Sequence, residues 1–342
     1  MSSVTEHPAP AGTAPAQQPA GLLRSVLVNQ HVLLLVALAG LVAYFTARDS
    51  VFISTPEIAV LLTNFASLIL LATGETFVII SGGIDLSVGA TTGFSGVVAA
   101  LAMRDMISAH NGEALVLIVG TLICAGIGTG IGLINAALMN WARLVPFVAT
   151  LATLGAGTGM ALVLSNGLPI GSDSSALSLG ADRFGPFPYL FLVVFAIVVI
   201  SWLYLHLSRY GRYTYAIGSN SFAARAAGID VRRHLTSVYA LSGLLAGLTG
   251  IVFYIRLGAG APTSGDGFEL TAIAAVVIGG VSLFGGSGRL TGTILGALIL
   301  TVVTSGLIIS NVSPNWNQVA VAICIAAAAS LQALRVLGRR QS

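Results

Sequence analysis

An all-α integral membrane protein of about ten transmembrane helices, with both termini cytoplasmic and a broken or re-entrant segment near residues 81–87, is the fold class this sequence predicts. Three observations carry it. Of 342 residues, 56% are hydrophobic and only 8% charged, against about 25% charged in a soluble domain. Apolar stretches of the roughly 20 residues a bilayer core requires follow one another almost end to end. The arginines fall asymmetrically between those stretches.

The chain opens on a polar tail, residues 1–25, whose Ala, Pro, Gln and Thr content predicts a disordered cytoplasmic segment. The first apolar run starts near Val26 and lacks a short apolar region followed by a small-x-small cleavage site. It therefore reads as a first transmembrane helix and not a signal peptide. One transmembrane domain, 26–337, contains spans at 26–47, 57–80, 88–103, 115–140, 147–165, 187–208, 236–257, 270–281, 291–312 and 316–337. The eighth is too short to cross alone at about 1.5 Å per residue, so it must be extended, tilted or broken. With the N-terminus inside, Arg48, Arg104, Arg183 and Arg256 lie outside and the other eleven of fifteen basic residues inside, as the positive-inside rule requires. An odd number of helices would separate the basic segment 209–235 from the basic C-terminus.

All fifteen basic residues are arginine. Without lysine there is no P-loop to reach the β- and γ-phosphates and no Schiff base. Cys124 and Cys324 sit in apolar runs without CxxC spacing, and the five histidines are scattered; no metal site is expected. No nucleophile–base pair marks a catalytic residue, and no nucleic-acid partner is expected.

Glycine is abundant, with 41 residues, and several pairs fall four apart: Gly126/Gly130, Gly128/Gly132, Gly155/Gly159, Gly243/Gly247 and Gly292/Gly296. Such spacing lets helix backbones approach closely in lipid. The stretch Ile80–Leu86 is echoed by Val277–Leu283, the pattern of duplicated halves.

Residues 74–89 are the most unusual segment. Glu75, Asp85, Ser87 and the pair Gly82-Gly83 interrupt an apolar run. The glycines weaken a helix there, and non-helical backbone at membrane depth is tolerated only inside protein or beside a water-filled cavity. Glu75 lies within a span, where a charge costs about 2.5–3.5 kcal/mol on insertion scales; it either faces a pathway or bonds to a neighbouring helix. Asp85 lines a path or, with Ser87, caps the following helix. Asn135, Asn140, Thr150 and Thr153 are polar groups in apolar surroundings, suited to interhelical hydrogen bonds or to lining a route for a hydroxyl-rich solute. Trp141, Trp202 and Trp316 sit at segment ends, where aromatic anchoring is expected. The outer loop 258–269, with Pro262, Asp266 and Glu269, is either solvated or docks basic groups of a partner.

The segment 209–235 carries Arg209, Arg212, Arg225, Arg232 and Arg233. Within it a short helix is predicted: Asn220 suits the N-cap, the Ala-Ala-Arg-Ala-Ala run favours helix, and Gly228 suits the position after the C-cap. Anionic lipid would attract the arginines at about 1 kcal/mol each, but that leaves the helix unexplained.

These residues together resemble the membrane permease subunit of ribose/xylose-type ABC sugar importers. The resemblance spans residues 55–337 and rests on 76–89 (TFVIISGGIDLSVG), 132–150 (GLINAALMNWARLVPFVAT), 211–228 (GRYTYAIGSNSFAARAAG), 241–250 (LSGLLAGLTG) and 269–296 (ELTAIAAVVIGGVSLFGGSGRLTGTILG). It implies a dimer of permeases, identical or paralogous, in the bacterial cytoplasmic membrane. It also implies a cytoplasmic ABC ATPase that uses ATP and Mg, an extracytoplasmic solute-binding protein, and no cofactor in this chain. Asn220, Ala223, Ala224, Arg225 and Gly228 match the helix that couples such a permease to its ATPase. Glu75, Asp85, Ser87, Asn135 and Thr150 are the candidates for the substrate pathway of a monosaccharide or similar hydroxylated solute. Two departures stand out: Ser221-Phe222 where the family usually has an acid, and Val145-Pro146 where it often has two prolines. A proton- or cation-coupled transporter using Glu75 and Asp85 is the competing expectation, and a membrane enzyme the second.

Overall fold

A computed structural model describes residues 30–171, 182–313, 316, 318–324 and 326. The tail 1–25 and most of the span 316–337 lie outside the described residues. The helices are α1 (Gln30–Arg48), α2 (Thr55–Ile80), α3 (Val88–Ser108), α4 (Glu113–Asn140), α5 (Pro146–Ser165), α6 (Tyr189–Leu207), α7 (Arg209–Ser219), α8 (Ser221–Ala226), α9 (Val231–Leu257), α10 (Phe268–Ile278) and α11 (Leu290–Ile309). Residues 318–324 are also helical. Seven of these, α1, α2, α4, α5, α6, α9 and α11, are long and apolar enough to cross a membrane. The protein is a predominantly helical membrane protein. Thr, Gly and Ser dilute α3, which ends on Arg104-Asp105-Met106-Ile107-Ser108, and α10 has only eleven residues.

Helix α9 is the centre of the bundle, packed against α2, α3 and α4. Its glycines make the closest approach. A Cβ on Gly243 would land on the Gly128 carbonyl oxygen, and one on Gly247 on that of Cys124; Gly132 meets the Tyr239 carbonyl in the same way. Thus Gly128/Gly132 and Gly243/Gly247 form one backbone-to-backbone seam. Gly292 and Gly296 do the same for α11 against α10. By contrast Gly126, Gly130, Gly155 and Gly159 have no atom within 4 Å of a built Cβ, so their spacing serves no contact among the described residues.

The structure differs from the sequence expectation in two places, and at a third it decides between alternatives. The segment 209–235 is not an open loop but two helices and the start of a third. Ser208 caps α7 through Oγ, which accepts from the Gly211 N–H at 3.3 Å, and Asp230 caps α9 through Oδ1, which accepts from the Arg233 N–H at 3.1 Å. Polar composition hid α7 because its buried side is narrow: Gly211, Thr214 and Ile217. The short span α10, expected to be extended, tilted or broken, stops at Gly279-Gly280. Finally, the segment 258–269 is not a free loop. Ala259–Gly260 (β2) pairs antiparallel with Ile170–Gly171 (β1), Pro262 is buried, and the segment packs on α3, where a Cβ at Gly93 would strike the Pro262 carbonyl.

Candidate functional site

Helix α2 ends at Ile80 on a reversed-glycine cap. Gly82 N–H donates to Ile79 O at 2.9 Å and Gly83 N–H to Val78 O at 3.0 Å, with Gly82 at φ +89°. This is the paired bonding of a Schellman motif. Helix α10 ends identically: Gly280 (φ +83°) donates to Val277 O at 2.9 Å and Val281 to Val276 O at 3.2 Å. The two echoing sequence stretches therefore build the same stop signal. The turn that follows the second stop reaches the first, for Gly286 N–H donates to Ile80 O at 2.8 Å.

Between α2 and α3 the chain is non-helical, as expected, and polar groups of Ile84, Asp85 and Ser87 bond to side chains from four helices. Asp85 accepts from Ser87 Oγ (2.6 Å) and Ser87 N–H (3.0 Å) on one oxygen and from Ser242 Oγ of α9 (2.9 Å) on the other. Its own N–H donates to Glu75 Oε1 at 3.2 Å. Asn135 of α4 donates to Ser87 Oγ at 2.8 Å, and Thr153 of α5 donates to Asn135 Oδ1 at 2.6 Å. Thr150 Oγ1 reaches the Ile84 carbonyl at 3.4 Å. All five pathway candidates thus converge on one network, and each is buried, with Glu75, Asp85, Asn135 and Thr150 at 0% exposure. In this conformation they bridge helices and none faces an open channel. Asp85 anchors the turn entering α3 by an Asx-type bond to Ser87, which itself sits at the N-cap without a side-chain cap bond. Sequence reasoning missed Ser242, whose Ser-Gly pair in α9 reads only as a small packing position.

Asn140 is satisfied separately, donating to Thr236 Oγ1 of α9 at 3.0 Å. Within seven residues the break passes from contact with α7, where Gly82 lies beside Gly218, to the 258–269 segment, where Gly89 abuts Gly265 and the Glu269 carboxylate.

The second site is α8. Asn220 Oδ1 accepts from the Ala223 N–H at 2.9 Å. At the other end Gly228 (φ +85°) donates to Arg225 O at 3.0 Å and Ile229 to Ala224 O at 3.1 Å, again a Schellman stop. Asn220, Ala223, Arg225 and Gly228 are exposed. Ala224 is not: it is 5% exposed and packs with Ile217 and Val231, so it seats α8 on α7 and α9 instead of presenting a contact. Phe222, by contrast, is 80% exposed, an apolar side chain that helix-cap reasoning passed over. At the start of α7, Tyr210 accepts from Ser237 Oγ at 3.0 Å; burial pushes its phenol up to about 12, the Ser237 bond offsetting part of that. No group of three or more metal-ligating side chains occurs among the described residues.

The profile of the family described as branched-chain amino acid transport system / permease component matches residues 57–329. The chain belongs to this permease family. It is 36% identical over 299 residues, covering 85% of this chain and 90% of the relative, to the Ribose import permease protein RbsC of Escherichia coli (strain K12). It is 39% identical over 259 residues (75% and 78%) to the protein of the same name from Bacillus subtilis (strain 168). The D-allose transport system permease protein AlsC of Escherichia coli (strain K12) matches at 36% over 301 residues (87% and 90%). The matched region of the family runs from the start of α2 past the end of α11, so it includes both the buried network and α8.

Proposed function

We propose that this permease is the membrane subunit of an ATP-driven importer in a bacterial cytoplasmic membrane and passes a monosaccharide inward by alternating access. It has ten transmembrane helices and both termini on the cytoplasmic side. Its partners are a cytoplasmic ABC ATPase, which binds the ATP and Mg, a second permease, and an external solute-binding protein. The chain itself is not an enzyme. The sugar class is supported by the relatives named for ribose and D-allose import.

The observation that carries this reading is α8: a six-residue helix capped at both ends, exposed on its outer side and held on α7 and α9 by Ala224. A helix that short has little stability of its own; its caps and seating make it a rigid handle. A partner that grips it moves α7 and α9 together. Glu75, Asp85, Ser87, Asn135 and Thr150 then sit where that motion has consequence, because α9 carries Ser242 against Asp85. Shifting α9 opens the network, and its hydroxyls, amide and carboxylates become available to a hydroxylated solute on the pathway.

The test is reconstitution in liposomes with and without the ATPase and the binding protein, following labelled ribose. Uptake is expected only with all components and ATP. Uptake by the purified chain alone under a proton or sodium gradient overturns the reading and favours coupling through Glu75 and Asp85.

A further inference from the structure

The segment between α10 and α11 carries a second apolar prong beside α8. Phe284 is 94% exposed, yet it stands on a tightly fixed turn. Gly285 N–H donates to Ser282 O at 3.0 Å, Ser282 N–H to Ser287 O at 3.1 Å, and Phe284 N–H to Ser282 Oγ at 3.2 Å. The turn is also braced from outside. Gly286 donates to Ile80 O, Tyr215 of α7 donates to Gly288 O at 2.8 Å, and a Cβ on Gly286 would strike Ser219, the residue before the α8 cap. Phe284 and Phe222 therefore project from two adjoining, rigid supports. Arg225 of α8 and Arg289, two residues past the turn, are exposed and have no carboxylate partner among the described residues, whereas Arg233 does, with Asp230 at 3.2 Å.

A phenyl ring left 94% exposed on a fixed turn stabilises little among the described residues; burying it against a partner removes its apolar surface from water. We propose that the 282–287 turn and α8 form one two-pronged docking surface for the ATPase subunit, with Phe222 and Phe284 entering apolar hollows whose rims are acidic. The inference rests on the reading of α8 as the ATPase-facing helix. Continuity with α8 and the surplus of unpaired guanidinium groups favour that occupant over lipid tails, which would not call for a fixed polar turn. The consequence is mechanical: the partner grips the α10–α11 connection as well as the α7–α9 connection, and through the Gly286–Ile80 bond reaches the end of α2.

Benzoylphenylalanine placed at position 284, and separately at 222, in the complete importer in membranes will identify the neighbour. Capture of the ATPase from both positions is expected, and Phe284→Ala should lower ATP-driven uptake at least fivefold at unchanged melting temperature. Capture of the ATPase from 222 but of lipid or the second permease from 284 overturns the two-pronged surface alone, as does unaltered uptake by Phe284→Ala. Failure to capture the ATPase from either position overturns the assignment of α8 as well.

Discussion

Asp85 illustrates how a carboxylate survives in the middle of an apolar bundle. It accepts three hydrogen bonds, two from Ser87 and one from Ser242. Removing it strands three buried donors. Asp85→Ala is expected to destabilise the protein in detergent by about 3 kcal/mol, since each orphaned buried group costs about 1–3 kcal/mol and hydroxyls rotate to recover part. Ser242→Ala removes one donor and should cost about 1 kcal/mol. Because both act on the same carboxylate, the double variant should lose less than the sum; thermal unfolding followed by fluorescence measures all three. Strict additivity would mean that the α9 hydroxyl is not engaged with Asp85.

At the scale of elements, glycines separate into those that make contacts and those that do not, though the sequence spacing is the same. Gly243→Leu forces a side chain into the Gly128 carbonyl and should part α4 from α9; overpacking costs about 1–3 kcal/mol or more. Gly126→Leu points into open space and should leave melting unchanged. The short helix α8 makes a second case. Gly228→Pro removes the N–H that closes on Arg225 and forbids the positive φ, so the helix stop fails. ATP hydrolysis should continue in the assembled importer while uptake per ATP falls severalfold; an unchanged ratio would refute a coupling role for α8. These caps were legible in the sequence because Asn before a helical run and Gly after it act through their own backbone. The break at 81–87 was legible for the same reason. Helix α7 was not, since its polar surface conceals a three-residue seat. Nor was the inward turn of Ala224, because a six-residue alanine-rich helix carries no periodicity that tells its buried side from its exposed one. The pathway candidates were legible as a set of polar residues out of place, but their mutual bonding depends on tertiary placement, and Ser242 entered only through it.

For the whole molecule the open question is whether α10 completes a crossing, since this decides between nine and ten passages and therefore where the C-terminus lies. At about 1.5 Å per residue its eleven residues reach only about 16 Å, half of a bilayer core of about 30 Å. The contacts at its two ends supply the rest. The segment before it, 258–267, leaves the far end of α9 and folds inward onto α3, so α10 starts partway down. The segment after it returns to the α7–α8 junction through Gly286 and Ser219, beside the first turn of α9. Helix α10 is therefore expected to bring the chain back to the side on which α9 began. In the proposed ten-helix arrangement α11 leaves that side again and the expected last span, 316–337, returns to it. On this argument positions 225 and 340 share a side. In a chain with Cys124 and Cys324 replaced by alanine, cysteines at Arg225 and Arg340 should react with a membrane-impermeant maleimide only in inside-out vesicles, and a cysteine at Asp266 only in right-side-out ones. Labelling of 225 and 340 from opposite faces would show that α10 turns back within the membrane and that the chain crosses an odd number of times.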